Sequence, residues 1–158
     1  MKRLFLFITA IVILSAFIGF HFMQKVNSPA YQEPSITIRN HTFTIEIADT
    51  NEAQAKGLSY RTSLNQDTGM LFVFEKPSLY TFWMKDMHFP LDILFIKDNI
   101  IVTIHENVPN PPSNTPLNQL PAYAPKQPAN YVLEINAGLS QKYGFREGDE
   151  VIYANFRN

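Results

Sequence analysis

Seven of the eleven prolines in this chain of 158 residues fall between Glu106 and Ala129. Proline has no amide proton and holds φ near about −65°, so a stretch that dense can be neither helix nor central strand. It is expected to be a long loop or extended arm, and the fold must be assembled from what flanks it. The flanks supply short strand signals, and the first two alternate polar and apolar residues with a period of two, the mark of half-buried strands. Ser35–Ile38 and Thr42–Ile47 form one such pair, turned at Arg39–His41. Met70–Phe74 and Thr81–Met84 lie on either side of Glu75–Ser78, which reads as a turn. Leu91–Ile96 and Ile100–Ile104 form a hairpin around Lys97–Asn99. Tyr131–Ile135 and Val151–Tyr153 complete the strands, with a turn at Glu147–Asp149.

Helical signals are sparse. Asp49-Thr50-Asn51 can cap a short helix that stops at Gly57, and Gly138–Tyr143 can form another, closed by Gly144. No fixed-period repeat and no βαβ alternation is evident. The expected fold is therefore α+β and β-dominated: a small, partly open β-barrel-like domain with two short helices.

Ahead of this domain runs a nearly unbroken apolar stretch from Leu4 to Phe20, continuing through Phe22 and Met23, with Lys2 and Arg3 before it. A helix of about 20 apolar residues spans a bilayer, whereas a cleaved signal peptide has a shorter apolar core of about 7–15. Residues 1–26 are expected to be a transmembrane anchor or signal segment, touching the membrane through residues 4–23. Ser28-Pro29-Ala30 offers an alternative cleavage exit. Residues 27–34 form a linker and residues 35–158 a single globular domain. The positive-inside rule puts Lys2 and Arg3 in the cytoplasm and the globular domain outside the cell membrane. Composition supplies a core, with 46% hydrophobic and 13% aromatic residues. With no cysteine, the chain can form neither disulfides nor thiolate sites. A net charge of −1 with no basic run downstream disfavours a nucleic-acid partner.

Several blocks occur in an order that resembles a known family. They are Gly57-Leu58-Ser59-Tyr60-Arg61, Gly69–Phe74, Phe82-Trp83-Met84-Lys85-Asp86, Pro90–Ile96, Val132–Gly138 and Gly148–Val151. From about Ser35 to Tyr153 the chain is similar to the family of domain of unknown function 192. The resemblance implies a compact β-rich fold, often behind a signal or anchor, and brings no settled activity. Two departures stand out. The family commonly reads Gly-Leu-Met-x-Arg where this chain has Ser59, and Trp-Met-Lys-Asn-Thr where it has Asp86 and Met87.

No catalytic constellation emerges from the residues. Asp86 and Asp92, with Lys85, are six apart across Pro90, and a turn could join them as a general acid–base pair. The plainer reading makes Lys85 and Asp86 solvated turn residues and Asp92 a partner for backbone amides. His41, His88 and His105 lack metal-ligand spacing, so no metal site is expected. No nucleophile elbow or phosphate-binding glycine loop is present, and no cofactor is implied. Phe82, Trp83, Met84, Met70 and Met87 concentrate aromatic and thioether groups. They read most simply as core, or else as a cleft in which Trp83 stacks on a sugar, a peptide or an apolar group. Alternation puts Trp83 on the face opposite Phe82 and Met84. Arg61 and Lys85 could then meet an anionic group, with Glu134 as a buried partner.

The candidate ligand-binding residues are thus Arg61, Met70, Trp83, Lys85, Asp86, Asp92 and Glu134. They belong to a membrane-anchored envelope domain that binds a small molecule or peptide. The alternatives are an envelope-acting hydrolase using Asp86 and Asp92, and a structural module that pairs through an exposed sheet edge. The proline-rich segment is read as a connector, or as a lid or docking arm.

Overall fold

A computed structural model describes residues 32–156. The expected membrane-spanning segment, residues 4–23, lies outside them. Among the described residues no helix is long and apolar enough to cross a membrane.

Seven strands make one sheet: β1 (Ser35–Ile38), β2 (His41–Ala48), β3 (Thr68–Ser78), β4 (Leu91–Lys97), β5 (Ile100–Val108), β6 (Ala129–Asn136) and β7 (Val151–Ala154). Their order is β5-β4-β6-β3-β2-β1-β7. The two ends of the sheet approach each other. Ile100 bridges Glu150, and the Val151 amide donates to the Asn99 carbonyl at 2.8 Å. The sheet therefore curls into a half-barrel, as the alternation implied.

One face carries Ile36, Phe43, Leu71, Leu94, Leu133, Ile135 and Phe145, and helix α2 (Leu139–Tyr143) buries Leu139 against it. The other carries Met70, Phe72, Ile93, Phe95 and Val132, against which Leu58, Met84 and Phe82 pack. Because both faces are covered, β4 reads as a continuous apolar run from Leu91 to Ile96, broken only by Asp92.

The short helix α1 (Asn51–Lys56) forms where its caps placed it. The Thr50 hydroxyl accepts from the Ala53 amide at 3.2 Å. Gly57 ends the helix at φ 49°, where a Cβ would meet the Phe72 ring at 3.2 Å. Thr50→Ala is expected to cost about 1 kcal/mol, the usual worth of an N-cap. A urea midpoint identical to wild type would show that this cap contributes nothing.

Four expectations are corrected. β2 and β3 are parallel neighbours, so the chain does contain one βαβ crossover, through α1. That helix buries no residue and leaves almost no apolar periodicity to read. The expected turn at Glu75–Ser78 is strand, because β3 runs on through a bulge to pair Ser78 with Ala129. Pairing with β2 ends at Phe72, so Pro77 sits where its missing amide has no β2 partner to lose. Thr81–Met84 is not a strand. Only Phe82 bridges, to Tyr123, and the segment folds over the second face. The proline-rich loop is real but shorter than expected. β5 extends to Val108, and a 3-10 turn at Leu117–Gln119 interrupts the loop.

Candidate functional site

Strand pairing lays a row across the second face of the sheet. Glu46 of β2 lies opposite Met70 of β3, Met70 opposite Glu134 of β6, and Glu134 opposite Ile93 of β4. A period of two puts Glu134 on the same face as Val132 and points its carboxyl away from the Leu133–Ile135 core. Close packing supports this row: a Cβ at Gly69 would stand 2.9 Å from the Glu134 carbonyl, so β3 and β6 approach there only because position 69 is glycine.

Over this face α1 and the segment around Tyr80–Met87 leave a cleft of about 380 Å3. Glu134 is at its floor. Phe72, Phe74, Tyr80, Phe82 and Trp83 supply aromatic wall, and Lys56 and Gln54 come from α1. The rings interlock: Phe82 meets Phe72 edge-on at 4.9 Å, and Phe74 stacks on Tyr80 at 3.7 Å. Gln54 is committed to the backbone through a bond to the Val73 carbonyl at 2.7 Å. Glu134 is only 5% exposed, and no side chain of the described residues bonds or pairs with its carboxyl. Burial alone pushes its pKa up to about 8, since the charged form gains neither a cation nor a donor.

Trp83 is 56% exposed at the cleft wall. The reading of Trp83 as core is thereby overturned, while the alternation it came from holds locally, with Phe82 and Met84 turned inward. The reason is the bridge at Phe82. It anchors the segment to Tyr123 of the proline-rich loop and leaves Trp83 on the outside.

A second group adjoins the cleft. Tyr60 and Asp86 both adopt left-handed backbone, at φ 66° and 57°, a conformation that non-glycine residues rarely take. The Tyr60 amide donates to the Asp86 carbonyl at 2.9 Å, and the Tyr60 hydroxyl to Asp86 Oδ2 at 2.7 Å. Lys85 Nζ reaches the same oxygen at 2.7 Å. That bond and the Tyr60 hydroxyl hold the Asp86 carboxyl below its usual range. Both departures from the family pattern fall here. Ser59 Oγ donates to the Lys85 carbonyl at 3.0 Å, a bond that methionine could not make, and Asp86 supplies the carboxylate. Tyr60, Lys85 and Asp86 also line a smaller hollow of about 230 Å3 with Pro111, Asn114 and Leu117 of the proline-rich loop. A third hollow, lined by Trp83, Lys56, Tyr60, Lys85 and Leu117, shares walls with both, so the surface forms a groove.

The remaining expected site residues lie elsewhere. Arg61 makes a fork to Glu46 at 2.6 and 2.7 Å. Met70 is buried in the core. Asp92 is fully buried: its carboxylate accepts the amides of Asn107, Gly138 and Ser140 at 2.8, 3.0 and 2.7 Å. Asp86 and Asp92 share no partner and lie in unlike surroundings, so the acid–base pair of the hydrolase reading is not assembled. Among the described residues no three His, Asp or Glu side chains converge to hold a metal. Gln54, Lys56, Tyr60, Phe74 and Tyr80 were not singled out from sequence. They come from α1, β3 and two connecting segments, and only the blocks around Tyr60 and at Gly69–Phe74 carried any signal.

Comparison with curated proteins finds no match. Two solved structures are similar. One, a protein of unknown function from Novosphingobium aromaticivorans, is 35% identical with a TM-score of 0.66, over 75% of this chain and 83% of that one. The other, a proposed transcription regulator from Sinorhizobium meliloti, is 34% identical with a TM-score of 0.68, over 82% of this chain and all of that one. The family model of domain of unknown function 192, described as an uncharacterized ACR, matches residues 34–153. Matched over most of its length and in the blocks that build the cleft, the chain belongs to the domain of unknown function 192 family.

Proposed function

We propose that this protein is a small-ligand-binding domain, held at the outer face of the membrane by residues 4–23, with its site in the cleft between Trp83 and Glu134. One observation carries the reading. A carboxyl group is buried without a partner at the floor of an aromatic-walled cleft that opens beside an exposed tryptophan. Burial disfavours its charged form and no neighbouring group offsets that, so the carboxyl is left facing the cleft. A large exposed indole beside an apolar cleft is the other half of the argument, because such surfaces mark binding sites. The regulator description of the Sinorhizobium protein is not carried over, since DNA binding needs clustered Lys and Arg and this chain has no basic run.

Trp83 is the single tryptophan, so its emission reports on the cleft. The full-length chain in detergent is expected to show the red emission of an exposed indole. A ligand should shift it saturably and raise the melting temperature. Trp83→Ala should leave stability within about 0.5 kcal/mol of wild type, as exposed positions do, while abolishing that ligand-induced rise in melting temperature. If envelope sugars, short peptides, amines and neutral amphiphiles all leave emission and melting unmoved, the reading is wrong.

A further inference from the structure

Two carboxylates near the cleft already have cations. Glu46 holds Arg61 in a two-bond fork, and Asp86 holds Lys85 at 2.7 Å. Glu134, at the floor of the cleft, has none among the described residues. We propose that the missing partner is the ligand: the cleft takes a small organic monocation, an ammonium group on an apolar stem, with its nitrogen against Glu134 and its stem among Phe72, Phe74, Phe82 and Trp83. This rests on the cleft being the binding site and adds the chemical class of what enters it.

Three alternatives fit less well. A divalent metal needs several oxygen ligands, and a lone carboxylate offers at most two. An anion would be admitted only while Glu134 stays protonated, and Lys56 is the one basic side chain among the lining residues. A neutral ligand can meet the protonated carboxyl but gives its ionised form no partner. The walls favour a cation independently. Aromatic faces carry negative potential and attract an ammonium within about 6 Å of a ring centroid, most strongly when it is desolvated. Five of the residues lining the cleft are aromatic.

Binding is therefore coupled to proton release. The empty site holds Glu134 mostly protonated at pH 6, and an ammonium ion requires it ionised. The other charged or titratable groups brought to this face are Lys56 of α1, Tyr80, the Lys85–Asp86 pair, the Glu46–Arg61 pair on the β2 side, His105 of β5 and Tyr123 of the proline-rich loop. None of them contributes to the raised pKa of Glu134, whose sole cause is burial.

The test titrates the full-length chain in detergent with n-hexylamine, which stays charged throughout, and with the neutral n-hexanol, at pH 6 and pH 8. Trp83 emission and melting temperature are the readouts. The ionised fraction of Glu134 rises from about 1% to about 50%, so amine affinity should rise about 50-fold between the two pH values. Hexanol should bind more weakly at pH 8 and show no such rise. Glu134→Gln should remove the pH dependence and weaken amine binding at least tenfold at pH 8, with a cooperative melt as proof of folding. An end-blocked Gly-Lys-Gly tripeptide, also a monocation, run alongside, separates a peptide-borne ammonium from a free amine, and binding by either supports the proposal. Equal affinity for hexanol and hexylamine with a flat pH profile would overturn it and leave the binding function standing. No response to either compound or to the tripeptide would remove the proposal, and no response across the wider ligand panel would remove the function with it.

Discussion

Glu134→Gln is expected to make the protein more stable at neutral pH, by roughly 3 kcal/mol at pH 7, while leaving stability at pH 5 within about 1 kcal/mol of wild type. The direction follows from the proton balance. In the unfolded chain the carboxyl titrates near about 4.3. In the folded protein burial raises it to about 8. Between those values the folded state keeps a proton that the unfolded state has released, so wild-type stability falls with rising pH by about 1.4 kcal/mol per unit. Glutamine resembles the protonated carboxyl in shape and cannot ionise, so the variant escapes the decline. Urea denaturation of both proteins at pH 5, 7 and 8 gives the comparison. Coincident curves at pH 8 would mean that water solvates the carboxylate fully, and the picture of a floor that disfavours charge would be abandoned.

Removing Asp92 should have the opposite effect, and a larger one. Asp92→Ala strips the acceptor from three amides, those of Asn107, Gly138 and Ser140, in a place that solvent does not reach. Each abandoned buried donor costs about 1–3 kcal/mol, so a loss of roughly 4 kcal/mol or more is expected. That rivals the whole stability of many domains, and the variant should be largely unfolded at 37 °C. Asp92→Asn separates the contributions. Its amide oxygen can keep the bonds to Asn107 and Gly138, while its NH2 group faces the Ser140 donor, so about half the loss should remain. Circular dichroism during heating reads both variants. A cooperative melt for Asp92→Ala close to wild type would show that water or local rearrangement satisfies those amides.

The two acids mark a boundary in what the residues alone could convey. Asp92 interrupts an otherwise apolar strand, and its neighbours explain why: it ties the start of β4 to the end of β5 and to the first turn of α2. That role was one of two readings open from sequence, and only the partners distinguish them. Glu134 sits in an equally apolar strand, Tyr131–Ile135, with nothing nearby in sequence to say whether a cation waits across the sheet. Arg61 was a reasonable partner. It goes instead to Glu46, because Met70 stands between the β2 and β6 positions of the row.

Local chemistry was legible from the sequence. Thr50 and Gly57 bound α1, Gly138 and Gly144 flank α2, and Asp98 at φ 57° turns the β4–β5 hairpin. Period-two patterning identified the β1–β2 pair, because side-chain alternation is a property of the backbone itself, and apolar runs between turn signals identified the rest. Proline density located the long loop for the same kind of reason. Tertiary structure decided which strands are neighbours, and with that the parallel β2–β3 pair, the extension of β3 past Pro77 and the outward turn of Trp83. Each depends on contacts between residues far apart in the chain, such as Phe82 with Tyr123 and Ser78 with Ala129. The cleft belongs to this second class. Its floor comes from β6 and its walls from α1, β3 and the segment around Tyr80–Met87. Its most telling property is that Glu134 has no partner there, which depends on where every neighbouring charge has gone.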